Sequence, residues 1–108
     1  MDILPINKIQ DKTYKVLSGK DLGEKARTYF NLDLLDSQSN IVTFIVPDDV
    51  FSINSSFFSA MFQKSIKTLG IAKFREQYIF ECDEIIRKNI ENGIFNIIGT
   101  SDFLGGQS

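Results

Sequence analysis

IVTFIVPDDVFSINSSFFSAMFQKSIKTL, residues 41–69, decides the fold. Its first six residues, Ile41-Val42-Thr43-Phe44-Ile45-Val46, are β-branched or aromatic at every position. A run that is apolar on both alternate sets describes a central strand covered on both faces. Pro47 ends it by withholding a backbone donor. Asp48-Asp49 follows as a short acidic loop, and Val50-Phe51-Ser52-Ile53 leads on. From Asn54 the apolar residues Phe57, Phe58, Met61, Phe62, Ile66 and Leu69 recur at helical spacing, which predicts an amphipathic helix opening on Asn54-Ser55-Ser56. Lys64 and Lys67 complement the dipole near its far end, and Gly70 is placed to stop it. A functional site is expected at this strand-to-helix turn.

Upstream, residues 3–9 and 13–17 are apolar-rich segments separated by Gln10-Asp11-Lys12, and they read as a hairpin. Pro5 puts the first strand at an edge, or breaks it. Ser18-Gly19-Lys20-Asp21 reads as a helix start with Ser18 as N-cap. Leu22, Ala26, Tyr29 and Phe30 then form one apolar stripe. Gly23 within that helix costs about 1 kcal/mol relative to Ala. It reads either as room for close approach to the sheet or as a tolerated surface glycine. Residues 36–40, Asp-Ser-Gln-Ser-Asn, read as a plain polar loop.

Downstream, residues 71–74 form a link and Gln77-Tyr78-Ile79-Phe80 a strand. Asp83 caps a third helix with Ile86 and Ile90 facing inward and Gly93 ending it. Residues 94–98 read as a last strand or an apolar tail. The predicted order is β-β-α-β-α-β-α. The predicted fold class is α/β: a single domain over residues 1–98, a mixed sheet with a parallel centre, and a flexible tail over residues 99–108.

The 108 residues suffice for one core, burying roughly 65% of the unfolded surface. Ten Phe and no Trp assign much apolar area to that core without polar groups to satisfy. Residues 1–40 hold six basic and six acidic side chains, and residues 41–108 hold six and eight. No Lys/Arg stripe offers a path for a phosphate backbone, so nucleic acid is not expected as a partner. No apolar run approaches the roughly 20 residues of a membrane span, and the start, MDILPINK, has no signal-peptide core. With the lone Cys82 this suits a reducing cytoplasm.

Catalysis is poorly supplied. The sequence has no His, so the usual acid/base group near neutral pH is missing, and with it the Ser-His and Cys-His pairings. Cys82, at a strand end before a helix, reads as a small buried residue rather than a reactive thiol. One Cys and no His exclude the usual zinc sets. The Asp48-Asp49 pair would need a third carboxylate to hold a hard cation. No phosphate-cradling glycine loop is present. Neither a cofactor nor a metal is expected.

The Asn54-Ser55-Ser56 turn has two readings. Short polar side chains routinely cap a helix. A Ser at a helix N-terminus also tolerates a phosphate, which would add up to two negative charges at a surface.

The order of elements, with VFSINSSFFSAMFQKSIKTLG after a buried strand, resembles the STAS domain, the anti-sigma-factor antagonist fold. It looks more closely like the STAS-like family of unknown function often encoded beside histidine-kinase-type ATPases. The resemblance runs from about Tyr14 to Ile94. It includes SGKDLGEKARTYF, with a glycine in the first helix, the Val50 to Ser56-Phe57 spacing, and EQYIFECDEIIRKNI. In anti-sigma antagonists this helix opens on Asp-Ser-Ser-Gly, whose first Ser is phosphorylated by a partner kinase. The resemblance therefore places Ser55 at the phosphoacceptor, with Ser56 next to it. Two positions depart from the pattern: Asn54 stands at the Asp, and Val46-Pro47 stands where Asp-Phe is usual.

The resemblance and the missing catalytic groups imply a non-enzymatic regulatory module. It would dock a histidine-kinase-type ATPase or another regulator through residues 48–65, with Asp48, Asp49, Ser52, Asn54, Ser55, Ser59 and Gln63 as contact residues and Ser55 or Ser56 as the regulatory phosphorylation site. A small inhibitory or accessory protein of a mobile element or defence system, using the fold without the switch, is the alternative. A sensor holding a small molecule at the same turn is a third. The protein is expected as a monomer, or as a homodimer through an edge strand or the apolar residues 94–104.

Overall fold

Residues 2–99 are described by the computed structural model, and Phe44 lies at their centre, fully buried. In chain order the elements are β1 (Asp2–Pro5), β2 (Lys8–Ile9), β3 (Lys12–Thr13), β4 (Val16–Leu17), α1 (Lys20–Tyr29), α2 (Leu32–Ser37), β5 (Val42–Ile45), β6 (Ser52–Ile53), α3 (Ser55–Leu69), α4 (Ile71–Gln77), β7 (Tyr78–Glu81) and α5 (Glu84–Ile98). The class is α/β, with a parallel sheet in the order β1-β5-β7. Residues of β1, β5 and β7 stand in register: Ile3, Thr43 and Ile79 in one row, Leu4, Phe44 and Phe80 in the next. The expected residues 99–108 tail lies outside the described residues from position 100 onward, as does the far part of residues 94–104.

The row through Phe44 faces the helices. Rings of Phe30, Phe62, Tyr78 and Phe80 surround it at centroid distances of 5.3 to 6.3 Å, mostly edge-on from the helices and stacked within the sheet. Phe62 of α3 in turn meets Phe58, Phe74 and Phe80. Such pairs add roughly 0.5–1.5 kcal/mol each beyond the area they bury. This is where the phenylalanine-rich composition goes.

The opposite face is unevenly covered. Ile3 is 60% and Ile79 40% exposed, while Thr43 between them is 8% exposed. β5 itself is buried on both alternate sets at Val42, Thr43 and Phe44, as its sequence implies, while its neighbours on the outer row are open.

The expected hairpin is also different. β1 pairs in parallel with β5, and Pro5 is the last residue of that edge strand. Only Lys8-Ile9 and Lys12-Thr13 form an antiparallel pair, and Val16-Leu17 pairs in parallel with Ser52-Ile53. Local alternation cannot tell these partners apart.

Two helix boundaries shift and two helices are added. α1 has Gly19, not Ser18, at its N-cap, at φ 95°, a conformation open to glycine. Residues 32–37 form α2, which takes in the start of the expected 36–40 loop, and residues 71–77 form α4, which replaces the expected link over 71–74 and takes Gln77 from the expected strand; α2 starts from Asn31 in the left-handed region. α5 runs on to Ile98 through Gly93, which the sequence reading made its end. Gly93 is there for packing, since a Cβ would lie 2.7 Å from the Phe58 ring. Asp83 does cap α5, accepting from the Ile86 N–H at 2.8 Å, and Gly70 ends α3 at φ 83°.

Candidate functional site

Asn54 precedes α3 in extended conformation, and its Oδ1 accepts from the Ser56 N–H at 2.9 Å and from the Ser56 hydroxyl at 2.8 Å. Asn54 is therefore the cap, satisfying one of the orphan amides of the first turn. The Ser56 Oγ also accepts the Gly19 N–H at 3.1 Å. On the other side, Asn96 Nδ2 donates to Ser55 Oγ at 2.7 Å, and Asn89 Oδ1 accepts from the Ile53 N–H at 2.8 Å. The opening turn of α3 is thus fastened to α1 by one serine and to α5 by the other. Ser56 is exposed and Ser55 half-buried.

From that clasp α1 and α3 run side by side in the same direction. Gly19 meets Ser56, Gly23 meets Phe57 and Ala60, and Arg27 meets Met61 and Ser65. A Cβ on Gly23 would stand 2.5 Å from the Phe57 carbonyl oxygen and 2.6 Å from the Ala60 Cβ. Gly23 therefore allows close approach to helix α3, not to the sheet. Above this seam lies a groove of about 670 Å³, with Lys20, Glu24 and Thr28 on one wall and Ser59, Gln63 and Lys67 on the other.

Of the contact residues expected from sequence, Ser59 and Gln63 line this groove. Asn54 and Ser55 do not line it; they lie in the clasp, Ser55 bonded toward α5. Asp48 and Asp49 are exposed in the turn closed by the Val50 N–H to Pro47 carbonyl bond, and Ser52 is half-buried in β6 opposite Val16; none of these three lines the groove. Among the described residues, no three His, Cys, Asp or Glu side chains come together in a way that could hold a metal ion. No helix there is long and apolar enough to cross a membrane.

Sequence reasoning missed a polar network at the foot of the groove. Asp36, 8% exposed, accepts from Arg27 Nη2 at 2.7 Å, Ser65 Oγ at 2.9 Å and the Tyr78 hydroxyl at 2.6 Å. Arg27 also donates to the Met61 carbonyl, to Ser65 and to Asp33, and Gln77 donates to the Leu35 carbonyl at 2.7 Å. Four elements, α1, α2, α3 and β7, meet at this one carboxylate. Burial, then the Asp36 bond, pushes the Tyr78 phenol far above its ordinary value. Exposed Asp33 is held below the usual carboxylate range by its bonds to Arg27 and Lys64. Asp36 falls in a stretch that reads as a polar loop because its partners Ser65 and Tyr78 are 29 and 42 residues away.

Cys82 is half-buried, and burial pushes its thiol upward, away from thiolate chemistry. Arg75 and Glu91 form a bidentate pair at 2.8 and 2.9 Å, joining α4 to α5.

No protein-family model, no curated protein and no solved structure matches this chain.

Proposed function

We propose that this chain is a non-enzymatic regulatory module that docks a protein partner through α3, its opening turn and the groove that α3 shares with α1. The observation that carries this reading is the open groove that α3 shares with α1, where Ser59 and Gln63 lie and whose Lys20 follows directly on the Gly19 that bonds Ser56. The resemblance to STAS-like domains points to the same helix, and to a histidine-kinase-type ATPase or other regulator as partner. The chemistry of the side chains supports binding over catalysis. Histidine is absent from the sequence, and the buried polar groups Asp36, Tyr78 and Arg27 are committed to one another.

In the switched form of this reading, Ser55 or Ser56 receives a phosphate. At Ser56 that removes the hydroxyl proton and with it the bond to Asn54, while Asn96 Nδ2 beside Ser55 and the Gly19 N–H beside Ser56 are donors that phosphate oxygens can still accept. Either event would add up to two negative charges where α3 meets a neighbouring helix, so modification would alter the charge of the docking surface.

Affinity capture from the native host with wild type and Gln63→Trp, followed by binding measurements with the purified partner, tests the docking surface. Gln63→Trp fills the groove without changing charge, so a partner that binds both forms equally docks elsewhere and the proposal fails. Incubation with the captured kinase and ATP, mapped by mass spectrometry, tests the switch. If the partner binds while Ser55 and Ser56 stay unmodified, docking stands without it.

A further inference from the structure

The groove between α1 and α3 has a charge unlike the rest of the chain. Lys20, Arg27, Lys64 and Lys67 face Glu24 and Asp33 across it, four cations against two anions, on a protein whose net charge is −2. Asp36, behind Arg27, answers one of the two surplus charges. Lys67 has no ion-pair partner among the described residues. Lys64 lies three residues earlier on α3, so the two ammonium groups rise from neighbouring positions on one helix face.

The same wall shows how a carboxylate is held there. Asp33, 66% exposed on its side chain, accepts from Arg27 Nη2 at 2.8 Å and lies 3.3 Å from Lys64 Nζ. The clamp formed by Arg27 and Lys64 is thus occupied by an acidic residue of the chain itself, while Lys67 beyond it is open. The two walls, Lys20 to Thr28 and Ser59 to Lys67, each extend about 12 Å at 1.5 Å per helical residue. That length matches about four residues of extended chain.

Resting on the docking reading above, we propose that the partner's contribution to this groove is an acidic segment, whose carboxylates are held by Lys64, Lys67 and Lys20 with Asp33 as an internal competitor. The pairs holding Asp33 and Glu24 are solvent-exposed and individually weak, so a multivalent acidic chain displaces or joins them at small cost. The short floor side chains Ser59 and Ala60 leave room for its backbone.

The test uses fluorescence anisotropy with labelled hexaglutamate at low and physiological salt, and hexaglutamine as the uncharged control. Binding to wild type, weakening by about tenfold in the Lys64→Ala/Lys67→Ala double variant and unchanged in Lys73→Ala/Lys88→Ala, is the expected result. Asp33→Asn binds about threefold more tightly than Asp11→Asn, which makes the same change in net charge away from the groove. Equal affinity of Asp33→Asn and Asp11→Asn, or equal losses in the two lysine double variants, overturns the proposal. So does tighter binding of a single-stranded oligothymidylate of matched charge, which would make the groove a phosphate surface. With the purified partner, binding lost in Gln63→Trp but kept in Lys64→Ala/Lys67→Ala overturns the acidic segment and leaves the docking reading standing. Binding kept in Gln63→Trp sinks the docking reading itself.

Discussion

The Ser56 hydroxyl oxygen accepts the Gly19 backbone N–H at 3.1 Å, joining the opening turns of two helices that lie 37 residues apart in sequence. The same hydroxyl donates to Asn54 Oδ1, so one side chain serves the cap of α3 and the start of α1 together. α1 has no side-chain cap of its own, and a residue of α3 takes that part.

Loss of the clasp should therefore be felt in both helices. Ser56→Ala is expected to cost about 1 kcal/mol, and Asn54→Ala about 1 kcal/mol through loss of the cap. Asn54→Asp keeps the acceptor geometry and should be close to neutral or stabilising, since an anion suits a helix N-terminus. Urea denaturation followed by circular dichroism reads all three. Amide hydrogen exchange should show faster opening of the first turn of α1 in Ser56→Ala.

Gly23→Ala separates helix propensity from packing. In an exposed helix the change stabilises by up to about 1 kcal/mol. Here the new Cβ meets backbone, the Phe57 carbonyl oxygen, which cannot rotate away. The helices must move apart, and a net loss of about 1–3 kcal/mol is expected in the same denaturation assay. A stabilised Gly23→Ala protein would show that α1 and α3 do not approach so closely.

Asp36 and Tyr78 predict a particular response to alkali. The Tyr78 phenol is raised above its ordinary value of 10.0, so the folded chain keeps its proton where the unfolded chain has begun to lose it. That contribution is whole below about pH 10 and declines as pH rises beyond it. Tyr78→Phe should flatten the decline while costing about 1–2 kcal/mol at neutral pH for the lost bond to a carboxylate. Asp36→Ala leaves Arg27 with the exposed Asp33 as its one carboxylate partner among the described residues, and a loss of about 3 kcal/mol is expected. Thermal unfolding across pH measures both.

The uncovered face of the sheet should tolerate what the covered face does not. Ile3→Thr and Ile79→Thr, on the exposed row, are expected to cost under about 1 kcal/mol each. Val42→Ala, on the buried row, should cost about 2 kcal/mol or more. Equal costs on the two faces would mean that something covers the outer row in solution.

Residues whose partners are close in sequence were legible from the sequence, and those that depend on remote partners were not. Asp83 and Gly70 act within their own helix turns, and their roles are readable from spacing alone. The stripe Phe57-Phe58-Met61-Phe62-Ile66 is buried as its period implies. Gly93 reads as a stop because glycine disfavours helices, yet the Phe58 ring that needs the space is 35 positions earlier. Ser18 matches the rules for a cap, but the bond that matters at that helix start comes from Ser56. The α3 opening was found because its cap is local. Ser59 and Gln63, expected as contact residues, line the groove beside α3, but the groove itself was not legible, since α1 supplies its other wall.

The parallel sheet has a consequence for synthesis. Among the described residues β1 pairs only with β5, whose first residue comes forty positions after Asp2, and β7 joins β5 a further thirty-six positions on. As the chain leaves the ribosome, Asp2–Pro5 therefore has no strand to pair with until residues 42–45 have emerged, and the aromatic cluster is incomplete until Tyr78 and Phe80 follow. The α1–α3 seam is as remote, its hydrogen bonds spanning 34 to 38 residues, so the helical pair and the β1–β5 pair become possible at similar chain lengths and β7 is added last. A chain exposed only as far as residue 70 would then hold β1, β5, α1 and α3, with the β7 edge of the sheet still open.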